Sequence, residues 1–352
     1  MSRVLCFCWN SDRTPLCETY LENKSKIEIS RPGGWFNKSG SCYNPLFFDQ
    51  IQVQIEDFKP ILAVFLTEND PVTGSHFHSN FLPDKMKSLG YKLLERDKYV
   101  DQDETNSLRM SIFVRSGAMS VNSVELNKGL IFNDNKFECS RSYLGATKAL
   151  VLYVSTLFGK FAFIGVQVPR GYNDRTICMS SLYDKFVTNK NLDTIFIMGD
   201  FANEYIIEKK DITYSNVDKI RKQSIISGFK EDLVDIPYSE ESSEEPPNTP
   251  PQLARSKFLV PTYSPAYENK FVDTDNGGIN TYNDLLQYPY DKIEIGYHDR
   301  IFHKTLQGYP VIPVDYMTIV GSPMLATDSS NPERTRNHLG VLGIYSFQGQ
   351  TY

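Results

Sequence analysis

Apolar runs in this chain are short and repeatedly end on a polar or charged residue, and that pattern restricts the fold more than any other feature. Val4 to Cys8 runs into Trp9-Asn10, Ile61 to Leu66 into Thr67-Glu68, and Ile195 to Met198 into Gly199-Asp200. Such runs fall far short of the roughly 20 residues a membrane helix requires. They read as buried strands, which carry polar side chains to one edge of a sheet. Residues 149–158 and 161–168 are two further β-rich runs separated by Gly159-Lys160, which reads as a two-residue turn, so the sheet is partly antiparallel. Met110 to Arg115, Ile293 to His303 and Val341 to Phe347 complete the strand set. Residues 46–58, 178–190 and 216–227 have the mixed periodicity of amphipathic helices. The pattern is mixed α/β rather than strict strand-helix alternation.

With 352 residues, 40% hydrophobic and 13% aromatic, the chain has ample material for a core. One domain over residues 1–352 is expected, because the segments after the acidic, proline-rich stretch at 239–252 hold too few helices and strands to close a core alone. That stretch cannot bury apolar area and reads as a disordered insertion loop. A net charge of −6 gives no general attraction to phosphate backbones, so nucleic acid is not a favoured partner. The six cysteines include no C-x-x-C pair and no secretory leader is evident, so a disulfide framework is not expected and a soluble, intracellular, cytoplasmic protein is. Cys6 and Cys8, two apart in a strand, share one face and read as core.

Seven landmarks then follow in order: Trp9-Asn10, Thr67-Glu68, Ala146-Thr147-Lys148-Ala149, Gly199-Asp200-Phe201, Pro261-Thr262-Tyr263, His298-Asp299-Arg300-Ile301 and Asn337-His338. Together they span positions 9 to 338, and in this order and spacing the chain resembles the magnesium-dependent endonuclease/exonuclease/phosphatase superfamily, most nearly its inositol polyphosphate 5-phosphatases. The resemblance implies a two-sheet β-sandwich flanked by helices, a four-layer α/β/β/α, DNase I-like fold. It implies hydrolysis of a phosphate ester by activated water, with Mg²⁺ neutralising the phosphoryl oxygens. Glu68 and Asn10 would serve the metal, since magnesium takes hard oxygen ligands and few protein carboxylates. Asp200, with Asn203 after it, would orient or deprotonate the water, His338 would stabilise the developing oxyanion, and Asp299 would fix the imidazole tautomer. Lys148 and Arg300 would grip phosphate.

Several positions depart from that family's pattern. Where it places a histidine in the second hairpin strand, this chain has Gln167, and no histidine lies between His78 and His298. Asn203 falls one position late, the Ser-Asp-His triplet is Arg336-Asn337-His338, Ser264 replaces a lysine, and Tyr297-His298 replaces Trp-Cys. Asparagine at 337 keeps a carboxylate's shape and one acceptor without the charge. Two readings stay open. One is a protein that kept the fold and lost the reaction, a binding or structural component with protein partners, such as a virion-associated part of a large DNA virus particle. The other is an active Mg²⁺-dependent phosphoesterase acting on a phosphorylated small molecule or lipid headgroup.

Overall fold

A computed structural model describes residues 2–10, 47–68, 77–100, 107–116, 136–142, 145–156, 159–168, 172–188, 190–201, 204–211, 213, 216, 263–265, 292–296, 298–308, 310–319 and 336–347. Two large sheets dominate. The first holds β1 (Ser2–Asn10), β2 (Leu62–Glu68), β3 (Tyr91–Val100), β4 (Ser107–Arg115), β13 (Val311–Ile319) and β15 (Gly340–Phe347), in the order β13-β15-β1-β2-β4-β3. The second holds β5 (Lys136–Ser142), β6 (Gly145–Thr156), β7 (Gly159–Gln167), β8 (Thr194–Asp200) and β12 (Asp299–Thr305), in the order β12-β8-β7-β6-β5. Each sheet has one parallel pairing at its centre, β1 with β2 and β7 with β8. A small sheet, β14-β10-β11-β9, is built from β9 (Glu204–Glu208), β10 (Tyr263–Pro265), β11 (Lys292–Gly296) and β14 (Arg336–His338).

Alternation along the strands produces the layers. Val4, Cys6 and Cys8 of β1, Leu62, Val64 and Leu66 of β2, Leu150 and Leu152 of β6, Phe161 and Phe163 of β7, and Phe196 and Met198 of β8 share one core between the sheets. The opposite parity faces outward onto helices. Phe7, Ala63, Phe65 and Phe113 pack against α1 (Phe47–Phe58) and α2 (Leu82–Ser88) through Phe47, Phe48, Ile51, Leu82 and Met86. On the far side Val151, Ile164 and Ile197 pack against Met179, Leu182 and Phe186 of α3 (Tyr172–Phe186). Strands buried on both faces explain the unbroken apolar runs, and the result is the α/β/β/α sandwich expected.

Local details differ from the sequence reading. Thr156 pairs with Gly159, so Gly159-Lys160 begins β7 instead of forming the turn. Residues 293–303 are two strands, because Gly296 pairs in the small sheet while Asp299 pairs with Asp200 in the second large sheet. The third helix covers 172–186 rather than 178–190; the buried Val187 and Leu192 that prolong its apolar pattern lie in the connection to β8, which turns through Asn191 at φ 49°. Cys6 and Cys8 are free and buried as expected, but Cys178 is disulfide-bonded. Spacing cannot reveal a bridge that tertiary proximity makes, and the cysteine pattern therefore carries no inference about compartment. The helix read at 216–227 and the loop at 239–252 lie outside the described residues, apart from position 216. No described helix is long and apolar enough to cross a membrane.

Candidate active site

Strand parity decides where the polar strand ends meet. On β1 and β2 the residues facing the central core are even-numbered, which carries the series on to Asn10 and Glu68, directly opposite one another in register. On the second sheet the inward series continues to Lys148 on β6, Gln167 on β7, Asp200 on β8 and Asp299 on β12. These four form one row across the sheet, Lys148 opposite Gln167, Gln167 opposite Asp200, and Asp200 opposite Asp299. Two sheets thus direct six polar residues into the same end of their shared core.

Hydrogen bonds knit the rows together. Asn10 donates from Nδ2 to Asp200 Oδ2 at 3.0 Å and from its backbone N–H to Asp299 Oδ1 at 2.8 Å. The Asp200 backbone N–H donates to Glu68 Oε1 at 2.5 Å, a link between the two sheets. His338 sits at the end of β14 with Nδ1 2.9 Å from Asp299 Oδ2, and Trp9 Nε1 donates to its backbone oxygen at 3.2 Å. A carboxylate at that nitrogen selects the tautomer protonated on Nδ1 and makes Nε2 the ring's acceptor nitrogen. Gly199 makes the close approach possible: its φ is +141°, and a Cβ there would collide with the Val166 carbonyl oxygen and lie 2.9 Å from Glu68 Oε1.

Electrostatically the site concentrates carboxylates in a low-dielectric place. Glu68 and Asp299 are each 1% exposed. Burial, reinforced by the Asp200 and Asp299 charges, holds the Glu68 carboxyl well above the usual range, against the opposing pull of the Asp200 N–H and Lys148. Burial likewise pushes Asp299 up to about 6 despite its bond to His338. Ionised carboxylates so close together repel unless a cation or proton joins them, and Asn10, Glu68 and Asp200 present the hard oxygens that a magnesium ion takes.

Of the residues singled out from sequence, Asn10, Glu68, Asp200, Asp299 and His338 come together, with Lys148 and Gln167 continuing the row of Asp200 and Asp299. Lys148 is buried, and its charge acts on Glu68. Arg300 stands on the opposite parity of β12; its guanidinium lies over the Phe302 ring, 4.9 Å from the centroid. Asn203 lies outside the described residues. Asn337 is placed by its backbone opposite Ser264. His298 was read from sequence as part of a landmark and as a departure from a family pattern, without a role of its own, yet its Nδ1 is 3.5 Å from Asp200 Oδ1 and its ring centre 5.4 Å from that of His338. The available signal was the adjacency of His298 to Asp299, an imidazole one step from a carboxylate at the start of a strand.

No protein-family model matches the sequence, and no curated protein does. Solved structures resemble the chain course. Among them are the inositol polyphosphate 5-phosphatase domain of Spsynaptojanin in complex with inositol (1,4)-bisphosphate and calcium ion (11% identity, 98% of this chain and 84% of that one, TM-score 0.48) and the Cimex nitrophorin ferrous NO complex (11%, 98% and 98%, 0.47). The TDP2 of D. rerio complexed with single strand DNA product is a third (11%, 98% and 100%, 0.45). At this identity and these scores the likeness assigns neither chemistry nor ligand. The layers and strand ends described above carry the fold by themselves. The architecture is a four-layer α/β/β/α sandwich of the DNase I-like kind. Within that sandwich, the described site stands where the inner faces of both sheets run out.

Proposed function

We propose that the protein is a divalent-metal-dependent phosphoric ester hydrolase that uses an activated water. The observation that carries this reading is the Asn10–Asp200 and Asp299–His338 pair of hydrogen bonds, which brings four sequence-distant polar groups into one buried cluster. In the proposed roles, Asp200 positions or deprotonates water, and His338, oriented by Asp299 and acting as the imidazolium with a second proton on Nε2, donates to the oxygen that gains charge. Glu68 and Asn10 serve the metal, and Lys148 supports negative charge beside them. The substrate class that suits a net charge of −6 is a phosphorylated small molecule or lipid headgroup more than a polyanionic backbone.

Gln167 favours a second reading. It stands in register between Lys148 and Asp200, and a neutral amide there supplies less charge than an imidazolium. A protein that lost the reaction and serves an assembly through protein partners, a virus particle included, fits that change. One assay separates the two: phosphate release from inositol phosphates, phosphoinositides, nucleotides and an activated aryl phosphate, with Mg²⁺, Mn²⁺ or Zn²⁺ supplied. Turnover that depends on metal and falls on the order of 100 to 1000-fold in Asp200→Ala supports the hydrolase. Absence of metal-dependent turnover on every substrate leaves the assembly reading.

A further inference from the structure

We propose that Asp200, His298 and His338 form a three-ligand site for a transition-metal ion of the zinc class, with the fourth position open to water. One potential ligand atom from each of these buried residues lies within 4.8 Å of the other two. The sequence resemblance points to oxygen ligands for magnesium at Glu68 and Asn10, whereas this set contains two imidazoles. Nitrogen-rich sets suit zinc and its neighbours, and magnesium takes oxygen.

The geometry goes beyond composition. Zinc bonds of 2.0–2.1 Å at the tetrahedral angle put neighbouring ligand atoms about 3.3 Å apart, and His298 Nδ1 stands 3.5 Å from Asp200 Oδ1. The inclination of the His298 and His338 rings, 64°, rules out stacking. Each of the other two ligands is aimed by an outer partner. Asp299 takes Nδ1 of His338, the carboxylate–histidine arrangement that fixes ring orientation and raises the basicity of Nε2, the ligand atom in this proposal. Asn10 holds Asp200 through Oδ2, and Oδ1 faces His298 Nδ1. His298 is fastened through its backbone, whose oxygen accepts from the Phe201 N–H at 2.8 Å, one residue past Asp200. Asp200 therefore ends β8, His298 immediately precedes β12, the strand paired with β8, and His338 comes from the small sheet beside them.

Metal uptake tests this without any substrate, so it stands or falls apart from the hydrolase reading. Full-length protein stripped with chelator is titrated with Zn²⁺ by calorimetry, loaded with Co²⁺ for its visible spectrum, and examined loaded with zinc by X-ray absorption. The expected result is one zinc per chain, an intense tetrahedral cobalt spectrum and an absorption shell containing two imidazoles. His298→Gln and His338→Gln, each checked for folding by circular dichroism, are expected to weaken binding by more than about 100-fold, a direct ligand exceeding the effect of an outer partner. An all-oxygen shell, a weak octahedral cobalt spectrum, or zinc affinity unchanged in folded His298→Gln overturns the site. The absorption shell decides the case if the variants do not fold. Zinc bound with no hydrolysis under any supplied metal upholds this site and removes the hydrolase; magnesium-supported hydrolysis with no zinc uptake does the reverse.

Discussion

Single residues set the spacing of the two sheets at the site, and glycines show this most directly. At Gly199 an added methyl meets a backbone oxygen, that of Val166, in a left-handed conformation, so neither rotamer change nor small drift relieves it. At Gly165 the obstacle is Leu66 Cδ1, the end of a flexible side chain, with Met110 Cε at 3.2 Å. Gly199→Ala is therefore expected to cost more than Gly165→Ala in denaturant unfolding, with losses of at least about 3 and about 1–3 kcal/mol respectively. Equal losses would mean that β8 moves as readily as a leucine rotamer. In the sequence, Gly199-Asp200 was visible as a polar strand end because the apolar run before it is unbroken. His298 was not, since the distance between its imidazole and Asp200 depends on a sheet switch at residues 296–299 that periodicity does not encode.

At the level of elements, the outer face of the first sheet is an aromatic layer. Phe48 contacts the rings of Phe65, Phe77 and Phe81 at centroid distances of 6.4, 6.5 and 5.6 Å and is fully buried. Removing it leaves a cavity that α1 and α2 both border, and Phe48→Ala is expected to lower stability by about 3–5 kcal/mol in chemical denaturation. A loss under about 1 kcal/mol would show that the helices collapse onto β2 without it. Elements such as β1, β2, β8 and β15 were legible because both of their faces are apolar, which needs no knowledge of partners. The small sheet was not: Tyr263 meets both Gly296 and His338 there, pairings between distant segments of three residues or little more. Short strands of that kind carry too few alternations to register as a pattern.

For the whole molecule, the strand ends gather carboxylates that folding must desolvate, and this makes stability depend on pH in an unusual direction. Asp299 is raised from 3.8 to about 6, chiefly by burial, and Glu68 is raised for the same first reason. Below about pH 4 Asp299 is protonated in both folded and unfolded chains, and the full stability is present. Between about 4 and 6 the unfolded chain releases this proton while the folded chain retains it. The folded state then binds more protons, and stability falls as pH rises, levelling above the folded value. A shift of about two units corresponds to about 3 kcal/mol as an upper figure. Other carboxylates titrate in the same window, so the comparison is with Asp299→Asn, which keeps the acceptor for the Asn10 N–H but cannot ionise. Wild-type melting temperature is expected to fall relative to that of the variant as pH rises from 4 to 7. Parallel curves would show that Asp299 ionises in the fold as easily as in water. Zinc adds a second arm to the same measurement. An ion bound only by the folded chain stabilises it in proportion to the logarithm of its concentration. Because its ligands must first lose their protons, that gain should grow from pH 5 to pH 7, offsetting in wild type the decline seen after chelation, and should vanish in His298→Gln.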